Sequence, residues 1–428
     1  MIDIKLHTPI GVKDRLPEEV RKKRAAEQAF LSLVESYGYE EMESPMFEYS
    51  EVFSDEKLGS TDPKDLFRFF GRTGATLALR SDFTPPIARI MATAYAAETG
   101  PKRFCYVGNV FRYSDSYQGK LYESSQAGVE LMGSSSVQAD AEIIALAAKS
   151  LLAAGLTEFR IHIGEVQLFH SLLEETHLSQ EKKERLKDLV AHRNYVGVEE
   201  MTEETDMPPQ TKELFLALPK LVGQEEVFAK AEGLVQSSAS KAAIRNLRAL
   251  LHAVQSHGVG EYVVFDLGMV NSLNYYTGII FRAYTYGTGY SVIDGGRYDH
   301  LVEQFGKTTP AVGFGMKVDA LLDALDYAGV KRPSGGIDGL VAYRPAGKDA
   351  AYEALAKFRS QGMRLEESLL GDDLDQNVAY AKERNIPSVL FFENGDDLIY
   401  VREAEELGYM AVSMKVKDLA GKAKEEEK

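Results

Sequence analysis

The sequence predicts an α+β fold in which β-rich blocks flank a helical insertion and a small α/β domain follows. Short strand-like runs broken by Gly, Ser and Pro occur before residue 166 and again after residue 258. Between them the pattern is helical and polar. After a stretch rich in Gly, Pro and Ser at 329–338, strands and helices alternate. We therefore expect a first domain over residues 1–328 with an insertion at about 166–258, and a C-terminal α/β domain over 339–428 after the linker at 329–338.

The helices are predicted from their end signals and apolar periodicity. Pro17 suits a first helical turn, glutamates follow it and Gly38 is a stop signal, which predicts a helix over 17–37. Further helices are expected at 139–154 and 318–328. In the insertion, "SQEKKERLKDLV" is most simply a solvated amphipathic helix.

The strands are predicted from short β-type runs. "TLALRSDFTPP", "RFCYVGNVFRYS" and "SSQAGVELMG" precede the insertion, and "YVVFDL", "GIIFRAYTYG" and "SVIDGG" follow it. The first half of "YEEMESPMF" also alternates like a strand, and Pro45 interrupts it. Beyond the linker, five strand-like runs alternate with helices expected at 348–361 and 373–384, which predicts a mixed sheet.

Composition excludes several classes of function. The chain of 428 residues has 49 basic and 65 acidic residues, a net charge of −16, which opposes docking of nucleic acid unless a local basic patch exists. Cys105 is the single cysteine, so neither a disulfide framework nor a multi-thiolate metal site can form, and a lone thiol fits a reducing cytoplasm. The sequence shows no signal peptide and no apolar run that would span a bilayer. We expect a cytoplasmic protein without metal or cofactor.

Two nucleotide-binding motifs are incomplete. Gly306-Lys307-Thr308 resembles the end of a P-loop, but Leu301 replaces the glycine that the loop needs. "GTGYSV" has two glycines at dinucleotide-fold spacing, but Val292 stands at the third position and no helix follows.

Three blocks that are distant in sequence carry polar residues suited to an amino-acid ligand: "LRSDFTPPIAR", "FRYSDSYQGKLYESSQAGVELMG" and "NSLNYYTGIIF" with "GGRYD". An α-ammonium group needs acceptors, which Asp82, Thr84 and Gln126 can supply. An imidazole needs an acceptor carboxylate and a phenol, which are available from Glu130, Tyr276 and Tyr298. The alternative is that the tyrosines are ordinary strand residues of a β core. Convergence of six such groups favours a binding site.

The same blocks, together with "GVKDRLPEE", "GGRYDHLVEQFG" and "PAVGFG", resemble class II histidyl-tRNA synthetases over nearly the whole chain. The resemblance implies a class II aminoacyl-tRNA synthetase-like fold, with a six-stranded antiparallel sheet and flanking helices. It places the stretch around Pro45 in a dimer interface and matches Arg112 to an arginine that contacts phosphate. It also implies a histidine-binding site, to which we assign Asp82, Thr84, Arg112, Gln126, Glu130, Tyr275, Tyr276 and Tyr298.

The sequence departs from the synthetase pattern in the nucleotide half of that site. Asn271 and Ala320 stand where synthetases have two arginines. A Glu-Arg pair has become Ser114-Asp115, and a phenylalanine that stacks on adenine has become Ser124. Losing one charge-stabilising contact costs roughly 10²–10³ in rate, so two missing arginines would cost about 10⁴ or more if independent. The resemblance therefore favours a chain that binds histidine without adenylating it.

This profile resembles the regulatory subunits of short-form ATP phosphoribosyltransferase, the first enzyme of histidine biosynthesis. That resemblance implies a non-catalytic chain that pairs with a separate catalytic subunit, activates it and binds L-histidine for feedback inhibition. It implies a dimer within a hetero-oligomer, with neither tRNA nor membrane as a partner. Two alternatives remain open: a divergent but active histidyl-tRNA synthetase, and a metabolite- or RNA-binding adaptor of another pathway.

Overall fold

The computed structural model describes residues 6–55, 61–113, 121–270, 275–330, 336–404 and 408–419. The chain divides into two units, Met1–Arg332 and Pro333–Lys428. Residues 331–335 of the predicted linker lie outside the described residues, as do Ser114, Asp115 and Asn271.

The first unit carries a long series of strands and helices. Its strands are β1 (Glu40–Glu41), β2 (Phe47–Tyr49), β3 (Arg68–Phe70), β4 (Thr76–Leu79), β5 (Lys102–Phe111), β6 (Glu123–Met132), β7 (Phe159–Glu165), β8 (Val222–Gly223), β9 (Val263–Asp266), β10 (Ile279–Thr285), β11 (Ile293–Arg297) and β12 (Ala311–Lys317). Its helices are α1 (Pro17–Ser36), α2 (Glu51–Ser54), α3 (Thr84–Thr93), α4 (Val137–Ala153), α5 (Val166–Glu175), α6 (Gln180–Ala191), α7 (Tyr195–Glu204), α8 (Pro209–Ala217), α9 (Glu225–Leu234), α10 (Ser238–Ser256) and α11 (Val318–Tyr327). The helices predicted at 17–37, 139–154 and 318–328 are therefore confirmed as α1, α4 and α11.

Within the part of the chain that the structure describes, nine strands form the main sheet in the order β1-β5-β6-β12-β11-β10-β7-β9-β8. The six strands from β5 to β7 are all antiparallel to their neighbours, which confirms the antiparallel sheet implied by the family resemblance. The sheet is wider than predicted, because β1 runs parallel to β5 and β9 runs parallel to β7. Parallel neighbours need a long connection, and helices α5 to α10 supply it between β7 and β9.

The two faces of this sheet are covered differently. One face packs against α1, α4, α10 and α11 in a large apolar core, to which buried side chains such as Phe30, Ile144, Leu247 and Leu321 contribute. Each such side chain stabilises the fold by about 1.5–3 kcal/mol on burial. The other face carries α3 and a smaller aromatic cluster that includes Phe83, Ile87, Tyr106 and Tyr298.

A separate three-stranded sheet lies beside α3, with antiparallel strands in the order β2-β4-β3. Ala78 on its inner side is fully buried against Val52, Phe53 and Leu66. Its outer side carries Phe47, Tyr49 and Phe69, which are 53%, 61% and 40% exposed, with the partly buried Leu77 and Leu79. We call these five side chains the apolar face. The strand expected in the first half of "YEEMESPMF" is found as β1, and a separate strand, β2, begins after Pro45.

The second unit is a small α/β structure. Its strands are β13 (Gly339–Tyr343), β14 (Leu365–Glu367), β15 (Ser388–Phe392), β16 (Asp397–Ala404) and β17 (Gly408–Lys415), and its helices are α12 (Lys348–Ser360) and α13 (Leu374–Glu383). The strand order is β14-β13-β15-β16-β17. Strand β13 is parallel to β14 and β15, whereas β16 and β17 are antiparallel to their neighbours, so the sheet is mixed, as predicted. In the described residues of both units, every helix is too short or too polar to cross a membrane.

A buried carboxylate holds the helical insertion together. Glu175, at the end of α5, accepts hydrogen bonds from the backbone of Gln236 and Ser237 at 3.0 and 2.9 Å and from the hydroxyl of Ser240 at 2.6 Å. These groups lie at the start of α10, where the unpaired N–H groups of a helix favour an anion. One side chain therefore joins the first and last helices of the insertion.

We expect Glu175→Ala to lower the free energy of unfolding by about 2–3 kcal/mol, because buried donors would lose their acceptor. Denaturant-induced unfolding followed by circular dichroism would measure this change. Glu174→Ala is the matched control, since Glu174 has a side chain that is 73% exposed and forms only a surface ion pair with Lys183. This control substitution should lower the free energy of unfolding by less than about 1 kcal/mol. Equal losses in both variants would contradict the role of Glu175.

Candidate amino-acid-binding site

Strand β6 presents the polar floor of the site. Gln126, Gly128 and Glu130 alternate with apolar residues along it and therefore share one face of the sheet. On the neighbouring strand β12, Gly313 lies opposite Glu130 and Gly315 lies opposite Gly128. A Cβ atom on Gly313 would come within 1.8 Å of Glu130 Oε2, and one on Gly315 within 2.2 Å of Gln126 Nε2. The glycines of β12 thus provide the space in which the polar side chains of β6 lie.

Glu130 is the most deeply buried acid of the site, at 1% exposure. The Thr84 hydroxyl donates to Glu130 Oε1 at 2.7 Å, and the Tyr298 hydroxyl donates to Glu130 Oε2. Burial raises the pKa of Glu130 to about 8, although the two hydroxyl donors lower it, and the charge of Asp82 raises it further. Hydrogen bonds to both oxygens therefore fix the orientation of the carboxyl group. With a pKa of about 8, the group is mainly protonated, and so neutral, near pH 7.

Asp82 is the second acidic residue of the site and lies on the loop before α3. Its Oδ1 accepts hydrogen bonds from the backbone N–H of Phe83 at 2.8 Å and from Gln126 Nε2 at 3.3 Å. The guanidinium of Arg112 lies 3.5 Å from Asp82 Oδ2 and also donates to the backbone oxygen of Ser81 at 2.7 Å. Because the Arg112 side chain is 45% exposed whereas Asp82 is buried, Arg112 marks the solvent side of the site.

Three tyrosines form an aromatic wall. The rings of Tyr275 and Tyr276 lie 4.4 Å apart, and Tyr275 meets Tyr298 edge to face at 6.0 Å. Burial raises the pKa of all three phenols, which keeps them neutral hydrogen-bonding groups. Gly296 on β11 makes room for Tyr276, since a Cβ atom there would come within 2.6 Å of its ring.

Tyr106 on β5, whose pKa is raised by burial and further by the charges of both nearby acids, was not predicted as a site residue. It is fully buried, stacks on Phe83 with the ring centres 4.3 Å apart, and accepts a hydrogen bond from Gln126 Nε2 at 3.3 Å. Gly128 leaves space for it, because a Cβ atom there would lie 2.3 Å from the Tyr106 hydroxyl. The sequence signal that points to such contacts is glycine inside a strand, which marks close approach of another group.

Arg297 anchors the strand that carries Tyr298 and was also missed by sequence reasoning. Its side chain points to the opposite face of the sheet, as alternation along a strand requires. Its guanidinium donates to Asp140 Oδ1 on α4 at 2.9 and 2.6 Å, and to Asp299 Oδ1 at 2.9 Å. Burial raises the pKa of Asp140 to about 6, against the opposing effect of Arg297. This buried ion pair fixes β11 against α4 and thereby the position of Tyr298.

The predicted site residues are brought together in one place. Two linked groups form, one around Glu130 with Thr84 and the tyrosines, and one around Asp82 with Gln126, while Arg112 lies at the edge. No cluster of three or more acidic, histidine or cysteine side chains suited to a metal ion occurs in the residues that the structure describes. The arrangement can hold a small ligand with two separated hydrogen-bond donors, one at each acid.

The structure describes Ser124 and Ala320, two of the positions that the family resemblance assigned to the nucleotide half of the site. Ala320, on α11, is 1% exposed and belongs to the large apolar core. Next to it, Asp319 accepts a hydrogen bond from the backbone N–H of Ser125 at 2.9 Å and forms an ion pair with Arg15. Ser124 lies on β6 beside these groups.

Lys317, at the end of β12, is also paired with an acid. Its Nζ lies 2.6 Å from Asp294 Oδ2 and donates to the backbone oxygen of Ser291 at 3.1 Å. Both Arg15 and Lys317 thus contact carboxylates of the protein rather than offering an unpaired cation to a phosphate.

The fold is that of a histidyl-tRNA synthetase-like protein, and the histidyl-tRNA synthetase family model matches residues 11–321. A solved histidyl-tRNA synthetase from Nostoc sp. PCC 7120 shares the fold with a TM-score of 0.83 at 21% identity, covering 98% of this chain and 99% of that one. Within this class, the chain belongs to the family of ATP phosphoribosyltransferase regulatory subunits, a paralogous branch of the class II synthetases.

Two related proteins support this assignment to the family. The ATP phosphoribosyltransferase regulatory subunit of Acetivibrio thermocellus is 38% identical over 414 residues, which cover 96% of this chain and 99% of the relative. A solved structure from Bacillus halodurans, named as an ATP phosphoribosyltransferase regulatory subunit/histidyl-tRNA synthetase, is 31% identical with a TM-score of 0.81 and covers 91% of this chain and 98% of that one.

We expect Gly313→Ala to destabilise the protein by about 1–3 kcal/mol, because the added methyl group would overlap the Glu130 carboxylate and the backbone oxygen of Val129. Thermal and denaturant unfolding would measure the loss. Gly289→Ala is the control, since a Cβ atom there meets nothing within 4 Å, and it should change stability by less than about 0.5 kcal/mol. A Gly313 variant as stable as the parent would show that the packing between β6 and β12 is looser than described.

Proposed function

We propose that this chain is a non-catalytic subunit that binds L-histidine in the pocket around Glu130 and transmits its presence to a separate ATP phosphoribosyltransferase catalytic subunit. The observation that carries the proposal is the contrast between the two halves of the site. The acids and hydroxyls suited to an amino acid form two neighbouring hydrogen-bonded groups. Ala320, in contrast, lies inside the apolar core at the position that the family resemblance matches to an adenylating arginine.

The pocket suggests an orientation for the ligand. The α-ammonium group would lie against Asp82 and Gln126, and the imidazole would reach Glu130 and Tyr298. Arg112 would offer its partly exposed guanidinium to the α-carboxylate. The aromatic wall would cover the ring and exclude water from it, which strengthens the polar contacts.

The partner would be the catalytic subunit, as the name of the related regulatory subunits implies. Histidine can inhibit only if it prefers one state of the complex, and the reciprocal effect on the catalytic subunit equals that preference. A coupling free energy of about 1–3 kcal/mol corresponds to about 5–150-fold inhibition, which is sufficient for feedback.

We expect the purified chain to lack histidine-dependent exchange of pyrophosphate into ATP. Adenylation builds charge on phosphorus, and the described basic groups next to Ala320 are paired with acids. The measurement is radiolabelled pyrophosphate exchange with an ordinary histidyl-tRNA synthetase as the positive control. Exchange within about tenfold of that control, on the usual scale of enzyme turnover, would favour a divergent synthetase instead.

We expect Glu130→Ala and Asp82→Ala each to weaken histidine binding and inhibition of the reconstituted complex by at least about tenfold, because each removes a charged acceptor of a buried donor. Calorimetric titration and the activity of the complex would measure the two effects. Glu123→Ala is the control, since Glu123 lies on the same strand but contacts Asn109 rather than the pocket. If all three variants were inhibited as strongly as the parent, the inhibitory site would lie elsewhere, for instance on the catalytic subunit.

We also propose that the chain self-associates through the apolar face, with a second copy of the same chain as its occupant. An exposed apolar sheet face of this kind marks an interface, and the stretch around Pro45 leads directly into β2. The face belongs to a sheet whose inner side is already buried, so it remains available for a partner.

The double variant Phe47→Asp/Tyr49→Asp should shift the chain from dimer to monomer, because two charges would be buried at the interface. Light scattering coupled to gel filtration would measure the mass. Val196→Asp is the control, as Val196 is 68% exposed on α7 of the helical insertion. A parent protein that is already monomeric would refute the proposal.

A further inference from the structure

We propose that the pocket holds its ligand as an ion pair formed by internal proton transfer, in which the buried Glu130 carboxyl group gives its proton to the imidazole of histidine. This inference rests on the proposed histidine-binding function and concerns the chemical form of the bound ligand. It makes Glu130 a specificity-determining residue that selects a weakly basic side chain over neutral ones of the same shape.

The geometry around Glu130 carries the inference. Among the residues that the structure describes, the groups found around Glu130 are acids, hydroxyls and backbone atoms. Thr84 approaches from α3, Tyr298 from the end of β11, Tyr106 from β5, Tyr275 and Tyr276 from the wall, Asp82 from the loop before α3, and Gly313 from β12.

No lysine, arginine or histidine side chain within the described ranges donates a hydrogen bond to Glu130 or forms an ion pair with it. The guanidinium of Arg112 is engaged with Asp82 and lies on the solvent side of the site. A buried carboxylate without a cation is unfavourable, so the empty pocket keeps the proton on Glu130. The raised pKa of about 8 agrees with this.

Binding of histidine changes the protonation of Glu130, because the imidazole ring is a base that can accept its proton. Free imidazole has a pKa of about 6.5, so at pH 7 most of the ligand arrives neutral. On binding, the O–H bond of the Glu130 carboxyl group breaks and an N–H bond forms on the imidazole nitrogen that faces it. The carboxylate then accepts from the imidazolium as well as from Thr84 and Tyr298, and no proton is exchanged with solvent. The attraction of opposite charges in contact at a buried site favours this form over the neutral pair.

The pH dependence follows from the proton count. Below pH about 6.5 the free ligand is already protonated, so the complex must release a proton, and affinity should fall about tenfold per pH unit as the pH decreases. Above pH about 8 the free Glu130 has lost its proton, so binding must take one up, and affinity should fall about tenfold per unit as the pH increases. Between these limits the affinity should be nearly constant.

The decisive experiment is a ¹⁵N NMR spectrum of ring-labelled histidine bound to the full chain at pH 7.2. We expect the two ring nitrogens to have nearly equal chemical shifts, as in an imidazolium ion, although the ring of free histidine is mainly neutral at this pH. Calorimetry in buffers of different ionisation enthalpy should report release of about one proton at pH 5.5 and almost none at pH 7.2. A bound ring with one protonated and one bare nitrogen would overturn the proposal, as would uptake of a proton at pH 7.2.

A variant separates the role of Glu130 from the pocket as a whole. In Glu130→Gln any bound histidine should carry a neutral ring at pH 7.2, the loss of affinity above pH 8 should disappear apart from titration of the ligand's own ammonium group, and the loss below pH 6.5 should persist. An imidazolium spectrum in this variant would contradict the assignment to Glu130. If the variant fails to fold, the spectrum of the parent protein still decides. Absence of histidine binding to the parent would reject the proposed function itself, whereas binding of a neutral ring would reject only this inference.

Discussion

The burial of one carboxyl group constrains the architecture of the first unit. Glu130 lies inside the sheet face, where an acid is tolerated only with hydrogen-bond donors on both oxygens and with free volume beside it. Thr84 at the start of α3 and Tyr298 after β11 supply the donors, and glycine on β12 supplies the volume. The strand register, the position of α3 and the glycine at 313 therefore together provide the donors and the space that Glu130 requires.

Local patterns in the sequence were sufficient for much of this fold. The ends of α1, α4 and α11 were predicted to within two residues, because proline, glycine and apolar spacing act locally. The width of the main sheet was not predictable in this way. Strands β1 and β8 have two residues each, and the parallel pairing of β9 with β7 depends on where six intervening helices return the chain.

The site shows the same division between local and long-range information. Charged and hydroxyl side chains suggested a ligand by their chemistry, so Asp82, Glu130 and Tyr298 could be proposed from sequence. Tyr106 could not, because a tyrosine in a β run is usually a core residue, and only its approach to Gln126 across the pocket distinguishes it. Glycines 313 and 315 appeared in a recognisable motif, but their role as free volume exists only once β12 lies beside β6.

The packing around Ala320 restricts which side chains this position of α11 can hold. The residue occupies a methyl-sized space within the apolar core, and its neighbour Asp319 is engaged by Arg15 and Ser125. An arginine placed at position 320 would need room for a guanidinium group inside the core, next to an acid that is already paired with Arg15 and Ser125. A larger or charged side chain at position 320 could therefore be accommodated only together with compensating changes in several neighbouring elements.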